Sequence, residues 1–193
     1  MMKNLSLIIS AIFNYYTWVV IALTVEIFKT GLTFAQIKLI MPITIIFDLI
    51  APMLIYVILI KIGVISNPSL IKRKDRPLLF GASSLSILIA TVLAFFLAGD
   101  LFFKLHLLFF ILAFTMFLVT LFFKISGHLL VNTAFIIILN FLFGWNLLWL
   151  FLIVPLVGFA RLYLKAHTLA EVLAGTAVGF FEPLLVLWVF GLL

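Results

Sequence analysis

Cysteine is absent from the 193 residues, which excludes disulfides, thiolate nucleophiles and thiolate metal sites. Charge is almost as scarce: Asp, Glu, Lys and Arg make up 9% of the chain, and six residues are acidic. The basic residues are too few, and too scattered between apolar runs, to form a nucleic-acid surface. So few acids leave no carboxylate-rich cage, and neither a metal nor a cofactor is expected. Repeats and low-complexity tracts are missing, and no shift in composition marks off a separate soluble domain.

What is present is hydrocarbon. Hydrophobic residues make up 67% of the chain and the mean hydropathy is +1.47. A soluble domain of this length cannot hide so much apolar surface, so the bilayer has to be its solvent. The expected fold is all-α: a polytopic transmembrane helix bundle, one integral membrane domain over residues 1–193, in the cytoplasmic membrane of a prokaryotic cell. Crossing the hydrocarbon takes about 20 apolar residues as a helix. Seven runs approach that length: Leu5–Phe28, Ile37–Ile60, Leu78–Ala98, Leu105–Phe123, Ser126–Phe143, Trp145–Leu164 and His167–Leu193. The fifth and sixth are short, which gives six or seven spans. Lys3 precedes a long run with no small-residue cleavage site, so the first run is expected to be retained as a span.

If all seven runs cross, three polar clusters fall on one face of the membrane, each two crossings from the next. The first is "KRKDRP", Lys72 to Pro77. Arginine offers a rigid fork of donors matched to phosphate oxygens, and lysine adds mobile charge. Pro77 suits the first turn of a helix, which puts Arg76 at its entrance. A juxtamembrane basic cluster that fixes topology or touches anionic lipid is the plainer explanation. The second is "FKISGHLLVN", Phe123 to Asn132. Ser126 can cap a helix, Gly127 lets a ligand approach the backbone, and unpaired amides at a helix start attract anions. His128 would then face whatever the amides hold, with Lys124 adding charge. Serine and glycine also begin many helices that bind nothing.

The third is "ARLYLKAHTLAEVLAG", Ala160 to Gly175. His167 and Glu171 are four apart, so on a helix they share a face, and a carboxylate behind an imidazole fixes its tautomer. The spacing of Arg161 from His167 calls for a turn between them. Gly175 and Gly179 form G-x-x-x-G, which permits close helix packing and turns the His–Glu face inward. A structural polar pair is the competing explanation. Together, two histidines, a carboxylate and several cations suit metal-free phosphoryl transfer. One neutral imidazole attacks phosphorus, and the other, protonated, donates to the leaving oxygen.

In that order the three clusters resemble the type 2 phosphatidic acid phosphatase superfamily of membrane lipid phosphatases. Its signature is a lysine seven residues before an R-P pair, then P-S-G-H, then S-R-x5-H-x3-D. Arg76-Pro77, Ser126-Gly127-His128, and Arg161, His167 and Glu171 match it across about half of the chain. The resemblance implies a phosphohistidine at His167, oriented by Glu171, with His128 as general acid. It implies that Arg76, Arg161, Ser126 and the Gly127 amide hold the phosphate. Four positions depart from the signature. Ser69 stands where the lysine belongs, with Lys72 the nearest substitute; Ile125 replaces proline, Ala160 replaces serine, and Glu171 replaces aspartate.

The expected partner is a lipid phosphate or diphosphate whose tail stays in the bilayer: phosphatidate, phosphatidylglycerophosphate or a polyprenyl diphosphate. A phosphotransferase on the same fold, or a non-catalytic lipid-binding or transport bundle, are the alternatives. Lys3, Lys61 and the 72–76 cluster place the site's face in the cytoplasm by the positive-inside rule. Lys29, Lys38 and Lys104 on the other face oppose that bias, and orientation stays open. Asp48, between Pro42 and Pro52, either tunes the site or serves a kinked span. Asn132, one turn beyond His128, either bonds it or packs. His106 is expected at the opposite interface, solvated, and Glu182-Pro183 is expected to be structural.

Overall fold

The apolar runs all become helices, because only a backbone that bonds to itself is tolerated in hydrocarbon. In the computed structural model, which describes residues 2–66 and 72–193, the order is α1 (Met2–Ile12), α2 (Tyr15–Lys29), α3 (Phe34–Thr44), α4 (Ala51–Lys61), α5 (Pro77–Leu97), α6 (Asp100–Phe122), α7 (Gly127–Leu142), α8 (Ile153–Tyr163) and α9 (Leu169–Val189). A π-helical segment, Ile45–Ile50, joins α3 to α4, and 3-10 turns at Arg73–Asp75 and Leu148–Leu152 lead into α5 and α8. No strand occurs among the described residues. The protein is an all-α membrane protein. Five helical stretches are long and apolar enough to cross a bilayer: Met2–Lys29, Phe34–Lys61, Arg73–Leu97, Asp100–Phe122 and Leu169–Val189. Gly127–Leu142 and Leu148–Tyr163 are the shorter apolar helices, the same two runs whose length is marginal in the sequence. Phe28, Phe96, Phe122, Leu152 and Trp188 are largely exposed, a surface suited to lipid and not to water.

The helices sort into two compact units, residues 1–22 with 124–193 and residues 23–123. In the first, α7 is buried along nearly its whole length, from Leu129 to Asn140 with one half-buried exception at Val131. Ile9, Leu129, Val157, Ala160 and Val172 form its core, drawn from α1, α7, α8 and α9. α9 meets α7 at two glycines one turn apart. A Cβ at Gly175 would fall 2.5 Å from the Ser126 carbonyl oxygen, and one at Gly179 would fall 2.3 Å from that of Leu130. The G-x-x-x-G stripe therefore brings two backbones into contact, as its spacing predicts.

The first run is not one straight helix. It breaks at Asn14, whose side-chain oxygen accepts from the Thr17 amide at 3.1 Å and so starts α2. Ending α1 there strands carbonyls that would otherwise bond one turn ahead. Two of them are taken up by α7, as described below.

In the second unit, Ile27, Ile40, Ala94 and Phe102 pack together, and Leu59, Ile65 and Leu79 form a second cluster. The "KRKDRP" stretch divides its labour. Arg73 donates to the carbonyls of Thr120 (3.4 Å) and Leu121, and so closes the C-terminal end of α6. Asp75 accepts from the amide and the hydroxyl of Ser66 at 2.9 and 2.6 Å. Arg76 is buried just ahead of Pro77, which occupies the first turn of α5 as the sequence predicts. Lys72 and Lys74 are exposed. Ser69 lies outside the described residues.

Candidate functional site

The second and third clusters meet in the first unit. α8 carries Arg161 in its last turn, and a tight turn with Lys165 in the left-handed region (φ 51°) reverses the chain. Ala166 N bonds back to the Arg161 carbonyl at 3.1 Å, which closes that turn. The turn predicted between Arg161 and His167 is therefore present.

His167 differs from expectation in one respect: it is not on the helix it was expected to share with Glu171. Thr168 is the N-cap of α9, with extended backbone (φ −81°, ψ 164°), so His167 lies outside the helix, one residue before its cap. The reason is a capping box, T-L-A-E. Glu171 N bonds to the Thr168 hydroxyl and Thr168 N to Glu171 Oε2, each at 3.3 Å. The pair still forms: His167 Nδ1 lies 2.7 Å from Glu171 Oε2. A neutral imidazole with its proton on Nδ1, directed at the carboxylate, carries its lone pair on Nε2.

Lys124 completes the arrangement. From the extended segment ahead of α7 its Nζ reaches Glu171 Oε2 at 3.0 Å and the Ala166 carbonyl at 2.9 Å. One carboxylate oxygen thus receives an imidazole, an ammonium and a backbone amide, all within its own unit. The sequence shows Lys124 only as a charge near S-G-H, and that nearness is the one signal of its role. Ser126 N donates to the Glu171 carbonyl at 3.0 Å, so the start of α7 is tied to the first turn of α9.

Ser126 does occupy the N-cap of α7, with Gly127 as the first helical residue, but its hydroxyl makes no cap bond. Its Oγ is buried without a hydrogen-bond partner. Arg161 is 8% exposed, and its Nε is likewise buried and unpartnered. Burial without partners is costly for both groups, and most of all for the cation. Each is a donor that an anion could satisfy.

His128, in the first turn of α7, sends Nε2 to the Ser10 carbonyl at 3.2 Å, one of the carbonyls stranded at the end of α1. Asn132, one turn on, donates to the Phe13 carbonyl at 2.9 Å and accepts from Trp18 Nε1 at 2.7 Å. It also donates to the His128 backbone carbonyl at 2.6 Å, so it bonds the main chain of that residue and not its ring. No sequence signal announces these bonds, because the break at Asn14 creates the acceptors.

Arg76 and Lys72 belong to the second unit, where Arg76 is buried and Lys72 exposed. Compared with protein-family models, curated proteins and solved structures, the chain matches none.

Proposed function

We propose that the protein is an integral membrane lipid phosphatase that works through a phosphohistidine, in the cytoplasmic membrane of a prokaryote. The observation that carries the reading is the 2.7 Å contact between His167 Nδ1 and Glu171 Oε2; the buried, unpartnered Nε of Arg161, in the same unit, adds to it. Glu171 holds the proton on Nδ1 and steadies the imidazolium that forms. Nε2 of His167 attacks phosphorus while the bond from phosphorus to the lipid oxygen breaks. His128, protonated, gives its proton to that oxygen. Neutral His128 then removes a proton from the water that hydrolyses the phosphohistidine, returning both histidines to their starting states. Arg161, the Ser126 hydroxyl and the Gly127 amide bind the phosphate oxygens. Arg76 and Lys72 enter through the resemblance of their motif alone. Phosphatidate, phosphatidylglycerophosphate and polyprenyl diphosphates are the substrates to test.

The test is phosphate release by the purified full chain in lipid nanodiscs, across lipid monophosphates and diphosphates, with and without chelator. Turnover on at least one substrate, lost in H167A while lipid binding persists, is the expected result. Release from none of them overturns the reading in favour of a non-catalytic lipid-binding bundle. Transfer to an alcohol acceptor in place of water makes the protein a phosphotransferase.

A further inference from the structure

In each unit an imidazole pairs with a carboxylate. In the second, His106 Nε2 on α6 lies 3.2 Å from Asp48 Oδ2 on the π-helical segment, and both side chains are buried. This corrects the expectation of a solvated interfacial histidine: a carboxylate at the same depth lets the ring leave the interface. In the first unit the pair of His167 and Glu171 has a third member, Lys124, to which the proposed reaction gives no part. Its Nζ bonds at once to Glu171 Oε2 and to the carbonyl of Ala166, the residue just before His167. One ammonium therefore holds the chain leading into the ring and the carboxylate behind it. The side chains of Lys124, Glu171 and His167 are 17%, 14% and 3% exposed, so little water screens them from one another.

Attack on phosphorus asks for a neutral His167, because an imidazolium carries a proton on Nε2 and has no lone pair to offer. A carboxylate alone beside the ring works against that, since it favours the charged form. Lys124 opposes it. His167 Nδ1 and Lys124 Nζ contact the same oxygen, so they cannot be farther apart than the 2.7 and 3.0 Å contacts laid end to end. Glu171 and Glu182 are the only carboxylate side chains of this unit, and Glu182 lies far along α9. Its other cations are Lys3 on α1 and Lys165 in the turn, both exposed, and the buried Arg161 on α8. His128 on α7 and the phenols of Tyr15, Tyr16 and Tyr163 complete its titratable side chains. All of these are common to the wild type and a Lys124 variant, so the part played by Lys124 is read as a difference between the two.

We propose that Lys124 is the positioning residue of His167: its charge at Glu171 Oε2 keeps the imidazole neutral to lower pH than Glu171 alone would allow, and its bond to Ala166 holds the segment that carries the ring. The description of His167 as a nucleophile rests on the phosphatase reading; the charge relation rests on the contacts alone. As pH falls, Nε2 of His167 takes a proton from water and the attacking lone pair is lost. Lys124 moves that step to lower pH.

The test is read on His167 itself, by nitrogen NMR of the full chain with labelled histidine and lysine in lipid nanodiscs, and so needs no turnover. K124M and K124Q both lose the charge, while the glutamine keeps an N–H donor. Each should raise the midpoint of the His167 titration by about one unit, tenfold in proton affinity. K124R keeps the charge and should stay within about twofold of the wild-type affinity. Because the chain has no cysteine, K124C can be aminoethylated at that one position, and the restored ammonium should bring the midpoint back. In the wild type alone, the Lys124 Nζ signal should move with the His167 midpoint, a measurement that stands even if the uncharged variants do not fold. On any substrate that is turned over, the acid limb of kcat/KM in K124M should move to higher pH by the same amount. A His167 midpoint unmoved in K124M and K124Q, or a Lys124 signal indifferent to His167, overturns the proposal. So does a fall in kcat/KM with the acid limb unmoved, which makes Lys124 a structural tie only. A shifted midpoint in a chain that releases phosphate from no substrate overturns the phosphatase reading and upholds the control of His167 by Lys124.

Discussion

Gly179 lies so close to Leu130 that a Cβ there would stand 2.3 Å from the Leu130 carbonyl oxygen and 2.9 Å from its Cα. Both are backbone atoms and neither can swing aside. G179A should therefore push α9 from α7 at the turn above the site. Overpacking of this kind costs about 1–3 kcal/mol. Thermal unfolding in detergent should show the loss, and G179A should lower phosphate release with it, because the tie from Ser126 N to the Glu171 carbonyl depends on the same close approach. Wild-type stability in G179A would mean that the helices have another way to meet.

Much of this was legible beforehand for a physical reason. The bilayer imposes length and apolarity on each crossing, so all seven runs could be read from composition, and G-x-x-x-G reported a backbone contact because only glycine allows one. What stayed hidden depended on side chains that bond to nearby backbone. Asn14 breaks the first run because its own side chain serves the Thr17 amide. Thr168 and Glu171 form a capping box that removes His167 from α9, although the contact inferred from a shared helical face still forms. The depth of His106 is not visible in its local sequence, because its partner, Asp48, sits on another helix far away in sequence.

Glu171 has two duties, and substitution separates them. In E171Q the side-chain oxygen still accepts from the Thr168 amide, so the helix cap survives; the charge facing His167 and Lys124 does not. Turnover should fall by about 10²–10⁴-fold, the range for loss of a positioned acid–base partner. The stability lost through the cap should stay below about 1 kcal/mol. E171D restores the charge on an arm one methylene shorter and should recover part of the activity. Equal activity in E171Q and wild type would assign the carboxylate to the cap alone.

For His128 the two roles are a bond to Ser10 and donation to a leaving group. H128A strands a buried carbonyl at the end of α1, at a cost of about 1–3 kcal/mol. H128Q offers an amide N–H to the same acceptor but cannot deliver a proton to an alkoxide. Unfolding temperature should thus recover in H128Q while phosphate release stays low. Recovery of both would confine His128 to bracing α1.

Within "KRKDRP" the arginines should part company. Arg73 spends its guanidinium on the carbonyls of Thr120 and Leu121, so R73A should cost stability and spare chemistry. Charged groups at a helix C-terminus are worth about 0.3–1 kcal/mol, and a lost bond to the carbonyls adds to that. Arg76, by its motif, should bind phosphate, and R76A should raise KM for the lipid phosphate or lower kcat by tenfold or more. Comparing kcat/KM with unfolding temperature for the two variants separates the duties. The plainer explanation of the cluster, a topology signal touching anionic lipid, predicts that neither arginine changes turnover in nanodiscs, where topology is already set. A large loss in R76A alone is incompatible with it.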